Sequence, residues 1–170
     1  LKAYLDAAER RGALAMFYLE LVSGIRKGEL VALRWEDLDV EQRTISVSKQ
    51  ATKDADNNLI VARPKTENSV RQISIPQEAV ELLIQEHAKH PGNPWLFPSS
   101  RTGAMYHPDS VVNLHKKLLK DAGLEHLRFH DLRHTFATLA LQNGVDVKTV
   151  SAMLGHYDAG FTLRTYTHTT

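Results

Sequence analysis

Two segments of the sequence place cationic and imidazole side chains at spacings that suit the binding of an anion. At residues 24–29, in GIRKGE, two glycines flank two cations, so that backbone and guanidinium could approach an anion closely. At residues 130–135, in HDLRHT, a helix would point His130 and Arg133 at one target, because positions three apart share a helix face. A guanidinium can hold two phosphate oxygens, and a neutral imidazole can move a proton. Taken singly, the first segment is also typical of an ordinary helix start, and the second of a helix surface with mixed charge.

A third segment, near the C-terminal end, carries a histidine and a tyrosine. The sequence LGH at residues 154–156 is followed by Tyr166, ten positions after His156, and then by Thr167-His168. A lone tyrosine usually packs in a core or an interface with its hydroxyl hydrogen-bonded. To act as a nucleophile, its phenol, with an ordinary pKa of about 10, needs a proton acceptor and nearby cations that favour the phenolate.

Helices and one small sheet must position these side chains. Residues 44–48 and 70–75 alternate polar and apolar side chains, as half-buried strands do, and residues 59–61 form a further apolar run after a polar turn. Three short strands connected this closely predict a small three-stranded antiparallel sheet in an α+β, mainly α, fold. Apolar residues near helical period predict helices over residues 1–23 with a break near 11–12, 26–33, 79–84, 108–122, 130–142 and 147–154, and a short one near Phe161.

Composition favours one compact domain without thiol chemistry. The 170 residues are 42% hydrophobic and 24% charged, and there is no cysteine for disulfides or thiolate metal sites. The net charge of +1 does not by itself indicate a nucleic-acid partner. Residues 43–76 nevertheless carry six basic side chains against three acidic ones, so this stretch could face a polyanion or form a solvated hairpin. No apolar stretch approaches the roughly 20 residues of a membrane span.

In this order and combination, the three segments resemble the catalytic domain of the tyrosine recombinases, the phage-integrase family. The residues of these motifs are most similar to those of integrases from phages and conjugative transposons, and the resemblance runs from about residue 23 to residue 170. It implies the tyrosine recombinase catalytic-domain fold over residues 1–170, as the C-terminal domain of a longer protein whose N-terminal DNA-binding domains lie outside this sequence. Two positions depart from the pattern: Tyr166 follows His156 by ten positions where nine are expected, and Tyr157 stands where a small residue is expected.

The resemblance also assigns roles to individual residues. Two arginines would clamp the scissile phosphate, and Glu29 would support the first of them from behind. A lysine in Pro64-Lys65-Thr66 matches the lysine of the family's β-hairpin. The matched catalytic residues are Arg26, Lys65, His130, Arg133, His156 and Tyr166.

The implied reaction cleaves and rejoins DNA strands through a covalent intermediate. Attack by the Tyr166 hydroxyl would leave a 3′-phosphotyrosine and a free 5′ hydroxyl, while the two arginines and His156 stabilise the added charge on the phosphate oxygens. His130 would accept the tyrosine proton, and Lys65 would protonate the leaving 5′ oxygen. Because the covalent intermediate conserves the energy of the broken bond, no metal, nucleotide or other cofactor is implied.

The implied partner is double-stranded DNA at recombination sites, and no membrane partner is implied. The full-length protein would act as a tetramer on DNA in the bacterial cytoplasm, in association with the nucleoid, whereas we expect this segment alone to be monomeric. Further phosphate contacts are predicted at four cations that could equally be solvated surface: Lys27, Arg71, Lys116 and Arg128.

Three other interpretations stay open. The chain could be a DNA-binding module without catalysis, or a type IB topoisomerase that relaxes supercoils with similar groups. His126, His130 and His134 are spaced four apart and could present a metal site on one helical face. Gly123 and a helix start near residue 130 would interrupt that face, and the His-Glu-x-x-His arrangement of a zinc hydrolase is absent.

Overall fold

The computed structural model describes residues 2–63, 70–124, 127–142 and 144, and within these ranges it contains six α-helices and five short strands. None of the helices in these ranges combines the length and apolar character that a membrane span requires. The helices are α1 (Lys2–Arg10), α2 (Leu14–Ser23), α3 (Lys27–Val31), α4 (Gln77–Ala88), α5 (Pro108–Ala122) and α6 (Leu132–Gln142). The strands are β1 (Leu38–Asp39), β2 (Thr44–Val47), β3 (Gln50–Lys53), β4 (Leu59–Ala62) and β5 (Arg71–Ser74).

Helix α2 forms the centre of the hydrophobic core. The predicted break before it is confirmed: the chain turns at Gly12, whose φ of +72° lies in the left-handed region that glycine adopts most easily. Eight of the ten residues of α2 are buried, because α1, α4 and α6 all pack against it. A helix that is covered on all sides must be apolar on all sides, which makes the one carboxylate inside it, that of Glu20, unusual.

The end of α2 leads directly into the first candidate segment. Gly24 caps the helix with φ +65°, and its N–H donates to the carbonyl of Glu20 at 2.8 Å. The chain is extended at Arg26 and then forms α3, which confirms the helix predicted to start near residue 26. This helix ends at Val31, so Leu33 lies beyond it.

The strands form two antiparallel ladders rather than one. In the three-stranded sheet β2 lies between β1 and β5, and Ile45 is paired with Ile73. The predicted pairing of strands near 44–48 and 70–75 is therefore confirmed, but the run at 59–61 does not join their sheet, and that prediction is wrong. The run forms β4, which pairs with β3, a strand that the sequence did not predict. The reason is local: Asp54 accepts from the N–H groups of Asp56 and Asn58, each at 2.9 Å, and this turn folds β4 back onto β3.

Helix α5, helix α6 and the segment between them carry the described candidates that follow β5 in the chain. Pro108 opens α5 and Gly123 closes it with φ +68°, as the sequence predicted. The helix predicted over 130–142 starts two residues late, because Phe129–Asp131 forms a 3₁₀ turn that leads into α6. His130 therefore lies in a turn and not on the helix that carries Arg133. The helices predicted over 147–154 and near Phe161 lie outside the described residues.

Candidate active site

A cleft of about 940 Å³ lies where the N-terminal end of α3, helix α5 and the turn before α6 meet. Its floor contains apolar side chains of α5 and of the segment that leads to α6. Its wall carries four cations against one carboxylate, that of Asp131, so the cleft attracts anions. The lining residues with ionisable side chains are Arg26, Lys27, His115, Lys116, Arg128, His130 and Asp131.

Arg26 is placed at this cleft by the start of α3. It is exposed and extended, with φ −71° and ψ 150°, and its N–H donates to the carboxylate of Glu29 at 3.1 Å. This contact within one helical turn fixes the backbone at Arg26, so that the orientation of the first candidate arginine depends on Glu29.

Glu29 is in turn held by an arginine from the three-stranded sheet. Its side chain is buried, and both of its oxygens accept from the guanidinium of Arg71, at 2.8 and 3.0 Å. Burial raises the pKa of Glu29, but the hydrogen bonds from Arg71 and Arg26 together with their charges outweigh it, so the pKa is lowered. Arg71, predicted as a DNA contact, thus uses its guanidinium to join β5 to α3, while 40% of its side chain stays exposed.

Arg133 reaches the same segment from α6. Its Nη1 donates to the carbonyl of Ser23 at 2.7 Å, at the C-terminal end of α2, where helix carbonyls favour a cation. The side chain passes so close to Gly24 that a Cβ there would stand 2.7 Å from the Cδ of Arg133. Gly24 is therefore needed both for its positive φ and for the space that it leaves.

The second glycine of the GIRKGE segment also has a packing role. A Cβ on Gly28 would stand 2.7 Å from the carbonyl oxygen of Ala51 in β3. Both glycines of the segment therefore leave space that another part of the chain fills. They allow Arg133 and β3 to approach α3 and the residues before it.

His130 lies in the cleft wall with 66% of its side chain exposed. Its Nε2 is 3.5 Å from one oxygen of Asp131, and the Nε of Arg128 donates to the other oxygen at 3.0 Å. The hydrogen bond from Arg128 is the main reason that the pKa of Asp131 is lowered. An exposed imidazole beside a carboxylate and next to basic side chains is placed to exchange protons with a bound group.

His115 is a buried residue of the cleft that the sequence did not indicate. Only 2% of it is exposed, its Nδ1 accepts from the Tyr4 hydroxyl at 2.7 Å, and its Nε2–H donates to the Leu127 carbonyl at 2.6 Å. Burial lowers the pKa of His115, so the neutral ring links α1 and α5 to the segment that carries Arg128 and His130. The signal was its helical spacing from Val111 and Leu118, which is ordinary for a core residue.

Three of the predicted catalytic residues, Lys65, His156 and Tyr166, lie outside the described residues, as does His126 of the metal interpretation. Their roles stay predictions. Within the described ranges, no group of three or more histidine, aspartate or glutamate side chains is arranged to hold a metal ion.

What the described residues form is a helical domain whose basic cleft suits a phosphate backbone. The sequence profile of the phage integrase family matches residues 2–170, so the chain belongs to that family.

Curated relatives of the chain are similar over almost its whole length. The chain is 32% identical, over an alignment of 189 residues, to the tyrosine recombinase XerC-like protein of Caldanaerobacter subterraneus subsp. tengcongensis, covering 99% of the chain and 48% of that protein. It is 32% identical to the ICEBs1 integrase of Bacillus subtilis, covering 89% of the chain and 44% of that integrase. The chain therefore spans about half the length of the curated relatives it matches.

Solved structures show the same fold. The Tn1549 transposon integrase, in complex with a circular intermediate DNA, superposes with a TM-score of 0.71 at 22% identity, over 97% of the chain and 58% of that structure. The XerA recombinase superposes with a TM-score of 0.64 at 25% identity, over 97% and 57%. The predicted α+β, mainly α, catalytic-domain fold of the tyrosine recombinases is confirmed.

Proposed function

We propose that this chain is the catalytic domain of a site-specific DNA recombinase, which cleaves and rejoins DNA through a 3′-phosphotyrosine at Tyr166 during integration or excision of a mobile element. The main support is the convergence of two segments a hundred residues apart. Arg26 and His130 line one basic cleft, and Arg133 reaches the carbonyl of Ser23 beside it.

Each cation in this arrangement has a reason to act on a phosphodiester. The transition state of attack on phosphorus carries added negative charge on the nonbridging oxygens, which guanidinium groups stabilise more than they stabilise the ground state. Arg26 is exposed in the cleft, while its backbone is fixed by Glu29. A backbone that is held in place before the substrate binds need not be ordered during the reaction.

The proposed step exchanges one phosphorus–oxygen bond for another. The Oη of Tyr166 bonds to phosphorus as the bond from phosphorus to the 5′ oxygen breaks. The tyrosine proton passes to His130, whose ring is the exposed imidazole of the cleft, and the leaving oxygen takes a proton from Lys65. Return of a 5′ hydroxyl from another strand reverses these transfers and rejoins the DNA.

Double-stranded DNA is the proposed partner. The Tn1549 integrase was solved with a circular intermediate DNA, and a lambda integrase dimer with a COC′ core site. We infer phosphate contacts from three cations that line the cleft: Lys27, Lys116 and Arg128. We also infer one from the exposed part of Arg71, because Glu29 contacts both Arg71 and the backbone of Arg26. For the full-length protein we infer a tetramer on DNA in the bacterial cytoplasm, associated with the nucleoid.

The decisive variant is Tyr166→Phe, tested on a pool of nicked duplexes with randomised arms, which requires no knowledge of the target site. We expect the unchanged chain to form complexes that survive SDS, with DNA attached to Tyr166 by mass spectrometry. The variant lacks only the hydroxyl, so we expect it to lose covalent attachment and keep DNA binding within about twofold. Binding without any adduct in the unchanged chain would favour a non-catalytic module, and plasmid relaxation without strand exchange would favour a topoisomerase.

A further inference from the structure

Glu20 is a buried carboxyl that the proposed reaction does not use. It lies in the middle of α2 between two leucines, with only 1% of its surface exposed. Its Oε2 has no hydrogen-bond partner within the described part of the chain. An unsatisfied polar atom in such a place is destabilising, so its presence requires a compensating interaction.

Within the described residues, the opposite charge that acts on Glu20 is the guanidinium of Arg133. Arg133 extends from α6 to the carbonyl of Ser23, three residues after Glu20 on α2. It also lies against Gly24, whose N–H is bonded to the carbonyl of Glu20. Positions three apart share a helix face, so Arg133 meets α2 on the side that carries Glu20. Its positive charge lowers the pKa of Glu20.

Among the described residues, three charged or titratable groups act on the Glu20 carboxyl or respond to it. Arg133 faces it from α6, and Glu29 acts on it from α3. The phenol of Tyr4 in α1 responds to Glu20. Burial is the main cause of the raised pKa of Tyr4, and the charge of Glu20 adds to it. For Glu20 itself burial is the largest influence and raises its pKa well above the ordinary range, Arg133 opposes this, and Glu29 adds to it.

We propose that Glu20 is a positioning residue for Arg133: its buried carboxyl and the carbonyl of Ser23 together hold the guanidinium at the segment that carries Arg26. The inference rests on the proposed function only in that Arg133 would bind the scissile phosphate. Because Gly24 has no side chain, the space through which Arg133 reaches Ser23 stays open.

The first test measures the coupling itself and involves no DNA. In the intact chain, the side-chain carboxyl carbon of Glu20 is identified by NMR as the resonance lost in Glu20→Gln, and its titration is followed in the wild type and in two Arg133 variants. We expect Arg133→Gln to raise the titration midpoint by about one pH unit or more, because the attracting charge is gone. Arg133→Lys keeps the charge and should leave the midpoint closer to that of the wild type. A midpoint that is the same in all three proteins would overturn the proposal.

The second test measures the consequence for cleavage. We expect Glu20→Gln to bind DNA within about twofold of the wild type and to cleave it about tenfold more slowly in a single turnover, within the range of coupled charged neighbours. The wild-type rate should rise as Glu20 ionises, and the Glu20→Gln profile should lack that rise. Glu81→Gln, an exposed glutamate of α4, is the matched control and should follow the wild type.

The two outcomes separate the inference from the proposed function. If no protein in the series forms an adduct, the recombinase assignment fails while the NMR titration still decides whether Glu20 and Arg133 are coupled. If the wild type cleaves and the Glu20→Gln pH profile superimposes on it, the recombinase assignment stands and the positioning role of Glu20 is wrong.

Discussion

Glu29 and Glu20 are both buried glutamates close to an arginine, yet their pKa values move in opposite directions. Glu29 is 8% exposed and has its pKa lowered, whereas Glu20 is 1% exposed and has its pKa raised well above the ordinary range. Burial favours the neutral acid in both. The difference teaches that hydrogen bonds to the carboxylate, rather than depth alone, decide whether a buried glutamate keeps its charge.

The position of each glutamate on its helix explains the difference. Glu29 lies in the first turn of α3, where the N–H of Arg26 has no partner within the helix and can donate to the carboxylate. Glu20 lies in the interior of α2, where the helix uses its own N–H groups. Arg71 adds two further donors to Glu29 from a strand that is close to solvent. Glu29 is therefore a charged anchor, and Glu20 is a carboxyl whose ionisation depends on Arg133.

The largest effect should come from removing the charged anchor. Glu29→Ala leaves the guanidinium of Arg71 without the carboxylate that it holds with two hydrogen bonds, and we expect the free energy of unfolding to fall by about 2 kcal/mol. The 40% exposure of Arg71 lets water replace part of the loss. Urea unfolding measures it. Asp121→Ala, which removes the exposed pair with Arg11, is the control and should have the smaller effect. Equal losses would mean that burial of Glu29 adds nothing.

A second variant displaces Arg133, the arginine near Glu20. Gly24→Ala forces a Cβ into the left-handed conformation and into the path of Arg133, and we expect a loss of about 1–2 kcal/mol in unfolding free energy together with a larger loss of DNA cleavage. Gly123→Ala has a similar positive φ of +68°, and apart from its chain neighbours no atom of the described residues lies within 4 Å of the new Cβ, so it should lose stability without losing cleavage. The comparison would fail if both variants cleaved DNA equally well.

The smallest effects are two opposite slopes in the pH dependence of stability. The lowered pKa of Glu29 contributes stability that is present above its ordinary value of 4.5 and is lost as the pH falls through the lowered pKa. The raised pKa of Glu20 does the reverse: from pH 4.5 upward the unfolded chain releases a proton that the folded chain keeps, so stability falls until the raised pKa is reached. Urea unfolding between pH 3 and 8 measures both slopes. The loss of stability at falling pH should disappear in Glu29→Gln, and the loss of stability at pH rising above 4.5 should disappear in Glu20→Gln. A slope unchanged by its own variant would show that another group produces it.

Local signals in the sequence predicted much of this molecule. The break near Gly12, the end of the second helix at residue 23 and the limits of α5 at Pro108 and Gly123 depend on the conformation of single residues, and the structure confirms them. The alternating runs at 44–48 and 70–75 likewise predicted a pair of strands that does form. Strand β3 was missed because its residues alternate weakly and are held by pairing with β4. The sequence predicts helix at His130, where the chain forms a 3₁₀ turn, because these residues share the helical pattern of α6.

By itself the sequence determined the family, through the order of its three motif segments, and the turns and caps that a single glycine or proline sets. Only the tertiary structure decided which charged and polar groups meet. Glu29 and Arg71 are 42 residues apart, and Arg133 and Ser23 are 110 apart. A periodic pattern records which face of a helix is buried, but the partner on that face comes from another part of the chain. The ionisation of Glu29 and Glu20 therefore follows from the packing of α2, α3, α6 and β5, which no local spacing contains.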